Sequence, residues 1–244
     1  MIIGIGAGED GGKIFSQVSE LNSCDFDVRV YCSQAADLSC DTYVFDKPWE
    51  AMIRDLYSGR ISGAVRGTLP ANQTLGFLKE FSGCTSLKRV AFLETPDGRR
   101  FILAPVGVDE GWTVSDKIDF VRYSRVIAPK FGISDRVAIL SGGRYGDAGR
   151  HSAVDRSLAD AELAAKITGS DHCEILIEDA VKDHGIIIAP DGISGNLIFR
   201  TLTMIGGGFA HGAPVVNLDK IFVDTSRASP DYSNAILLAS ALSE

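Results

Sequence analysis

The chain has 244 residues, of which 45% are hydrophobic and 23% are charged, a composition typical of a globular protein with a sizeable core. Its net charge of -8 argues against nucleic acid and against an anionic membrane surface as partners, since both require a basic protein surface. An anionic small molecule stays compatible with this charge, because a few arginines suffice to bind it locally.

The five cysteines form no C-x-x-C pair, and their odd number argues for a reducing compartment rather than for a disulfide framework or a zinc site. Cys24, Cys32 and Cys40 are spaced by eight residues without a nearby histidine, which gives metal or redox chemistry little support. No apolar run approaches the ~18 residues of a membrane span, and no basic region precedes the apolar start at Met1. We therefore expect a soluble, cytoplasmic protein.

Short, continuous apolar runs predict parallel strands that are buried on both faces, joined by crossover helices. The predicted strands are Ile2–Ile5, Phe26–Tyr31, Lys88–Leu93, Arg136–Leu140, Cys173–Ile177, Gly185–Ala189 and Ile221–Val223. This alternation predicts an α/β fold with a mostly parallel sheet covered by helices.

One crossover helix is predicted over 155–167, where Leu158, Ala161 and Ala165 share a stripe and Gly169 can cap the end. Other helix starts are predicted at the capping box of Thr113 and Asp116 and after Pro230.

The segment 88–108 breaks the parallel pattern, because Pro96-Asp97-Gly98 separates two apolar runs. Asp-Gly in this position is a strong hairpin signal. Such a hairpin lies at a sheet edge or forms an arm toward a partner subunit. We expect residues 1–244 to form one α/β unit, or two lobes around a cleft, with the hairpin 88–108 as the arm.

The glycine segment 4–8 follows the first strand and has two interpretations. A Rossmann site for a dinucleotide or for S-adenosylmethionine needs a regular glycine spacing and an acidic partner. Glu9 and Gly11 match that spacing only in part, and the second strand ends at 31–33 without a carboxylate. A tight strand-to-helix turn is therefore the favoured interpretation.

A second glycine-rich segment, 141–150, follows the predicted strand 136–140. Glycines let backbone N–H groups converge on an anion, and an arginine adds bidentate contacts to a phosphate. The segment lies at the carboxyl end of its strand, where ligands of parallel sheets bind. We predict an anion site here, with a flexible loop and solvated arginines as the alternative. The candidate residues are Ser141, Gly142, Gly143, Arg144 and Gly146.

Two more segments combine small residues with polar side chains. Asp191 and Asn196 follow the predicted strand 185–189, where they can orient a ligand or serve as turn and helix-cap residues. Arg66 and Thr68, in the segment 62–68, are further candidates for ligand binding.

The segment 224–227 follows the predicted strand 221–223. Arg227 is well placed there to bind an anion, next to Asp224 and Ser226, although the same residue types also start helices well. The histidines match no catalytic pattern, so we assign none of them a role: His151, His172, His184 and His211.

Five segments, in conserved order along the chain, resemble motifs of the phosphate acetyl/butyryl transferases. They are Ser62–Thr68, the hairpin that leads to Gly107–Asp109, Leu140–Asp147, Ala189–Asn196 and Val223–Ala228. The resemblance implies a three-layer α/β/α sandwich of the isocitrate/isopropylmalate dehydrogenase type, usually dimeric, with the active site in a cleft. It also implies that Ser226 and Arg227 are catalytic residues at an acyl-phosphate group, with phosphate or a CoA-like molecule as ligand.

The chain departs from that family at several points. Gly143-Arg144 replaces a serine-threonine pair, and the aspartate expected after the 224–227 segment has no counterpart, since Ser233 falls there and Asp231 only with a gap. The short chain and altered motifs resemble a methanogen group of the same superfamily that is labelled as methyltransferases. The resemblance thus implies a transferase, with methyl transfer in one-carbon metabolism as the first reaction. Phosphate acyl transfer and a non-catalytic role beside methyltransferase subunits are the alternatives.

Overall fold

The computed structural model describes residues 1–8, 11–21, 25–34 and 41–244. It divides the chain into two compact units. The first unit comprises Met1–Leu87 together with His211–Glu244, and the second unit comprises Lys88–Ala210. The chain thus leaves the first unit once and returns to it.

The described elements are as follows in chain order. The strands are β1 (Ile2–Ala7), β2 (Asp27–Cys32), β3 (Asp41–Val44), β4 (Gly63–Val65), β5 (Ala91–Glu94), β6 (Arg100–Ala104), β7 (Val137–Ile139), β8 (Asp171–His172), β9 (Ile186–Ile188), β10 (Phe209–Pro214) and β11 (Ile221–Asp224). The helices are α1 (Gly12–Glu20), α2 (Pro48–Ser58), α3 (Ala71–Ser82), α4 (Val114–Ile127), α5 (Ser152–Thr168), α6 (Ile177–Asp183), α7 (Gly192–Arg200) and α8 (Ser233–Ser243).

The first unit contains the strand order β3-β2-β1-β4-β11-β10. Its pairs are parallel except for β10 with β11, which is antiparallel. Ile5 and Val223 both pair with Val65, so β1, β4 and β11 end side by side. The loops that follow these three strands therefore meet at one edge of the sheet.

Helix α2 shows how the first unit builds its core. It starts at Pro48 in its first turn and ends before Gly59, which adopts the left-handed conformation that a helix C-terminus favours. Its buried face contributes Met52 and Leu56 to a cluster with Phe222 of β11. Burial of this apolar surface is the main stabilising term for the unit.

The second unit contains the strand order β5-β6-β9-β7-β8, with β5 and β6 antiparallel and the remaining pairs parallel. The central strands are buried along their whole length, as the continuous apolar runs predict. Helix α5 confirms the prediction over 155–167: Leu158, Ala161 and Ala165 are buried, and Gly169 caps the end at φ 61°. The capping box of α4 is also confirmed, since Thr113 Oγ1 accepts from Asp116 N at 3.1 Å.

Some predictions of secondary structure are wrong. The predicted strand Cys173–Ile177 is a turn instead, and Ile177 already begins α6. The spacing of apolar residues does not distinguish a short apolar strand from a turn that leads into a helix. The sequence does not predict β3, β4, β8 and β10. Strand β3 is mostly exposed, β8 has only two residues, and β4 and β10 carry glycine or proline.

The predicted hairpin is confirmed as β5 and β6, with Phe92 paired to Ile102. Both strands are mostly buried, and β6 also pairs with β9. The hairpin is thus an integral part of the sheet of the second unit, and its role as an arm toward a partner stays a prediction. No helix in the described part of the chain combines the length and the hydrophobicity that crossing a bilayer requires.

Candidate functional site

In the first unit, the candidate residues lie in the loops after β1, β4 and β11. Arg66 is the best-defined of them and is only 4% exposed. Its guanidinium donates to Asp224 Oδ1 at 2.5 Å, to the carbonyl of Leu69 at 2.7 Å and to the carbonyl of Thr225. The cation thus ties the exits of β4 and β11 together from inside the protein. Its hydrogen-bonding capacity is largely used by protein atoms, although the sequence suggested a ligand contact.

Thr68 also serves the protein itself, because its Oγ1 accepts from Gly8 N at 2.8 Å. A Cβ at Gly6 would lie 2.1 Å from the side chain of Leu69, so this glycine is required by packing against the loop after β4. Both contacts fit the tight-turn interpretation of the glycine segment 4–8. Glu9, which the Rossmann spacing would use, lies outside the described residues.

The loop after β11 differs, because its arginine points outward. Tyr232 Oη donates to the carbonyls of Ser226 and Arg227, at 3.1 Å each, which fixes the backbone of the loop. Thr225 Oγ1 donates to the carbonyl of Gly67 at 2.9 Å. The side chain of Arg227 is exposed and makes no ion pair with any described residue. The loop after β11 thus has a backbone fixed by hydrogen bonds, and it carries the exposed guanidinium of Arg227 without an ion-pair partner among the described residues.

Ser226 adds a hydroxyl beside that cation. Its Oγ accepts from Ala228 N at 3.2 Å, which leaves the hydroxyl hydrogen available to donate. Asp231, the gapped counterpart of the aspartate discussed above, accepts from Ser233 N at 2.7 Å and so serves the start of α8.

In the second unit, the glycine loop 141–150 follows β7. Of the four consecutive N–H groups from Gly142 to Tyr145, only that of Gly143 has no acceptor among the described residues. Gly142 N donates to Ser157 Oγ at 2.8 Å, and Arg144 N donates to Asp147 Oδ2 at 2.8 Å. Most of the predicted anion cradle is thus occupied by protein atoms. The side chain of Arg144 is exposed and has no ion-pair partner in the described ranges.

Ser141 is fully buried and belongs to a polar network that the sequence did not reveal. Its Oγ donates to the carbonyl of Gly143 and lies 2.9 Å from His172 Nε2. His172 Nδ1 lies 2.9 Å from both Glu162 Oε2 and Tyr145 Oη. Only the pairing of β7 with β8, with Ile139 opposite His172, could have shown this proximity.

Glu174, two residues beyond His172, is the one non-glycine residue at positive φ (53°) among the described residues. Such a conformation costs roughly 1–3 kcal/mol and persists only where surrounding contacts hold it. Glu174 Oε1 accepts from Tyr145 N at 2.6 Å, which is one such contact.

Asp191 and Asn196 have structural partners. Asp191 is the N-cap of α7 and accepts from Ser194 N at 2.8 Å. Asn196 Nδ2 donates to the carbonyl of Val106 at 2.9 Å, which ties α7 to the loop after β6. The sequence allowed two roles for these residues, ligand binding or a turn and helix cap, and the contacts observed here are of the second kind.

Two buried ionisable groups in the second unit escaped the sequence analysis. Lys117 is 3% exposed and donates to the carbonyl of Gly111 at 2.9 Å; burial lowers the pKa of its ammonium against the attraction of nearby carboxylates. Burial raises the pKa of the Glu110 carboxyl, although Arg89 Nε donates to it at 2.5 Å and opposes that rise. Neither position carries a sequence motif that could have indicated its burial.

The cysteines offer no metal site within the described residues, where no group of three or more metal-ligating side chains occurs. Cys32, Cys84 and Cys173 are free thiols. Cys24 and Cys40, the other members of the spaced trio, lie outside the described residues.

Comparison with known proteins decides the family. A protein of Methanosarcina barkeri described as "Putative methyltransferase mtx subunit X" is 47% identical over 203 residues, which cover 81% of this chain and 75% of the relative. A protein of Methanosarcina mazei with the same description is 49% identical over 203 residues, covering 80% of this chain and 71% of the relative. The chain belongs to the mtx subunit X family. This confirms the methanogen group, MtxX, that the altered motifs resembled.

Other relatives extend the comparison across the whole chain. An uncharacterized methyltransferase of Methanopyrus kandleri is 34% identical over 257 residues and covers 99% of both chains. A phosphate acetyltransferase of Corynebacterium glutamicum is 29% identical over 204 residues, which cover 74% of this chain and 60% of the relative. No protein-family model matches the chain.

Solved structures place the mtx subunit X family within the expected fold. A branched-chain phosphotransacylase from Enterococcus faecalis superposes with a TM-score of 0.78 at 16% identity, covering 100% of this chain and 99% of that one. A 4-hydroxythreonine-4-phosphate dehydrogenase from Klebsiella pneumoniae follows with a TM-score of 0.63 at 11% identity, covering 100% and 99%. The predicted fold class is therefore confirmed, and at these identities the likeness concerns the fold alone.

Proposed function

We propose that this chain is a transferase that binds a phosphate-bearing or CoA-like substrate, with methyl transfer in methanogen one-carbon metabolism as its reaction. The observation that carries the anion-binding part is the exposed guanidinium of Arg227 on the fixed loop after β11, which has no ion-pair partner among the described residues. The methyl-transfer part is supported by the descriptions of the relatives that share this family.

The contrast between two arginines at neighbouring strand ends supports this proposal. Arg66 and Arg227 follow adjacent parallel strands, yet within the described ranges only Arg66 of the two is paired with a carboxylate. A cation without a protein partner at a strand end can hold a phosphate through bidentate hydrogen bonds. Arg144, at the end of β7, is the equivalent candidate in the second unit.

The proposed chemical role of these residues is charge stabilisation. Arg227 holds the anionic group, and the free hydroxyl hydrogen of Ser226 donates to the same group. Interactions of this kind lower a barrier when they strengthen as charge develops in the transition state.

Acyl transfer between phosphate and coenzyme A is the second candidate, favoured by the fold likeness to a phosphotransacylase and by the phosphate acetyltransferase relative. Turnover of acetyl phosphate with coenzyme A by the pure chain would establish it. A non-catalytic role is the third candidate, favoured by the word "subunit" in the relatives' description. Co-purification with a methyltransferase subunit, without turnover by the chain alone, would support that role.

Arg227→Ala is expected to weaken the binding of inorganic phosphate by about 10–100-fold, because a charge-assisted bidentate contact is lost. Isothermal titration calorimetry measures this dissociation constant. The control is Arg122→Ala, which removes the same charge from an exposed position on α4. It should change the affinity by less than about twofold. Equal effects of the two variants would contradict the assignment of Arg227.

We also propose that the chain forms a homodimer through an apolar surface of α7 and of the residues that follow it up to Phe209, the first residue of β10. Five large apolar side chains are exposed along this stretch: Ile193, Leu197, Met204, Ile205 and Phe209. Between Asp191 and Asp219 the only charged residue is Arg200. The exposed apolar area is on the order of 500 Å², against the ~800 Å² per partner of a standard interface.

A second copy of the chain is the partner that this surface fits best. The net charge of -8 makes two copies repel each other over most of their surfaces. A two-fold dimer brings the same patch against itself, so a patch with a single charged residue escapes most of this repulsion.

Leu197→Glu is expected to convert the dimer into a monomer, because it buries two like charges at the centre of the interface. Light scattering after gel filtration measures the mass, which should fall from twice to once the chain mass of 26.1 kDa. Val126→Glu, at an exposed apolar position on α4, is the matched control and should stay dimeric. A monomeric parent protein, or a dimer that survives Leu197→Glu, would refute this surface.

A further inference from the structure

The strained residue Glu174 makes two hydrogen bonds with the glycine loop of the second unit. Its carbonyl accepts from Ser141 N at 2.7 Å, and its carboxylate accepts from Tyr145 N at 2.6 Å. Glu174 therefore contacts both ends of the segment 141–145 at once. A glutamate at φ 53° is not expected unless such contacts enforce it.

His172 contacts the same two residues with its side chain. Nε2 lies 2.9 Å from Ser141 Oγ, and Nδ1 lies 2.9 Å from Tyr145 Oη. Between the two residues, Cys173 N donates to the carbonyl of Ile139 at 3.0 Å, which fixes the segment 172–174 to the end of β7. The side chains of His172 and Glu174, together with the carbonyl of Glu174, thus hold the loop at Ser141 and at Tyr145.

The residues between these two points are the ones that face a ligand in the proposed function. The N–H of Gly143 has no acceptor in the part of the chain that the structure describes, and the side chain of Arg144 is exposed without an ion-pair partner there. Their positions depend on where Ser141 and Tyr145 are held. An N–H group and a guanidinium on a mobile loop would lose ordering entropy on binding, which weakens affinity.

We infer that Glu174 and His172 are positioning residues that hold the loop 141–145 in its anion-binding conformation. This inference rests on the proposed function, because it assigns a purpose to an arrangement whose ligand is an anion. It goes beyond that function by naming residues outside the family motifs. It also gives a reason for a glutamate at a backbone conformation in which glycine would be relaxed.

The test variant is Glu174→Gly, which removes the carboxylate and also relieves the positive φ. These two effects on stability oppose each other, so the melting temperature should stay within about 3 °C of the parent value. The affinity for inorganic phosphate should nevertheless fall by about tenfold, because the loop is no longer held. Glu174→Gln keeps an acceptor oxygen for Tyr145 N and should restore most of the affinity.

Limited trypsin digestion gives a readout that does not depend on a ligand. Arg144 and Arg150 are exposed in the loop, so cleavage there reports its opening. Glu174→Gly should be cleaved at these sites about fivefold faster than the parent protein at equal melting temperature. Unchanged cleavage would overturn the positioning role.

The outcomes separate this inference from the proposed function. If the parent protein binds phosphate and Glu174→Gly binds it equally well, the positioning role is wrong and the proposed function stands. If the parent protein binds neither inorganic phosphate nor acetyl phosphate nor coenzyme A, the proposed function fails, and the anion-related role of the two residues fails with it.

Discussion

Arg66→Met is expected to lower the free energy of unfolding by about 3–5 kcal/mol, one of the two largest effects that we predict. The substitution keeps an apolar stem but removes the cation from a side chain that is only 4% exposed. It removes the guanidinium that pairs with the buried carboxylate of Asp224 and that donates to the carbonyl of Leu69. Urea denaturation monitored by circular dichroism measures the change.

The double variant Arg66→Met/Asp224→Asn distinguishes two effects: the loss of the Arg66–Asp224 ion pair, and the cost of keeping the buried carboxylate of Asp224 after the guanidinium is removed. Asparagine keeps an oxygen for Thr225 N, which donates to Asp224 Oδ1 at 2.8 Å, but it carries no charge. The double variant should therefore recover at least about 1 kcal/mol relative to Arg66→Met alone. Arg144→Met, at an exposed arginine, should change stability by less than about 0.5 kcal/mol. A loss at Arg66 no larger than at Arg144 would contradict the structural role.

Gly195→Ala is expected to destabilise the protein by about 3 kcal/mol. A Cβ at this position would lie 1.9 Å from the carbonyl oxygen of Pro105, and this atom belongs to the backbone and cannot rotate away. Helix α7 would have to move off the loop after β6, which would also stretch the hydrogen bond from Asn196 to Val106. The same urea denaturation measures the effect.

Gly76→Ala is the matched control, because Gly76 also lies inside a helix, α3. A Cβ there would have nothing within 4 Å, so the substitution should stabilise the protein by about 0.5–1 kcal/mol through helix propensity. Opposite signs for the two glycine-to-alanine changes are the expected result. Two losses of equal size would mean that backbone contact does not decide the cost at Gly195.

Much of the fold could be predicted because its signals are local. The capping box at Thr113 and the left-handed cap at Gly169 depend on residues within one helical turn. Buried strands such as Ile186–Ile188 show their burial directly in their composition. The apolar run Cys173–Ile177 failed as a strand because its first residues form a turn fixed by the strained Glu174, and no local pattern reports that strain.

The candidate site was less accessible to prediction, because burial and pairing come from distant parts of the chain. In the sequence, Arg66 and Arg227 both look like arginines at strand ends. Only the pairing of β4 with β11 brings Asp224, 158 positions along the chain, next to Arg66. The guanidinium of Arg66 then pairs with this carboxylate and not with a ligand. The sequence gives no sign of the polar contacts of His172 for the same reason, since its contact with Ser141 depends on the pairing of β7 with β8.

A thermal-shift measurement of the parent protein with added ligands tests the central claim, anion binding, most directly. The ligands are inorganic phosphate, acetyl phosphate, coenzyme A and S-adenosylmethionine, each over a range of concentrations. A ligand at ~100 times its dissociation constant stabilises the folded state by about 2.7 kcal/mol, which gives a clear shift. We predict a shift with at least one of the phosphate-bearing ligands and none with S-adenosylmethionine. A shift with S-adenosylmethionine alone, or with no ligand at all, would contradict the proposed anion site.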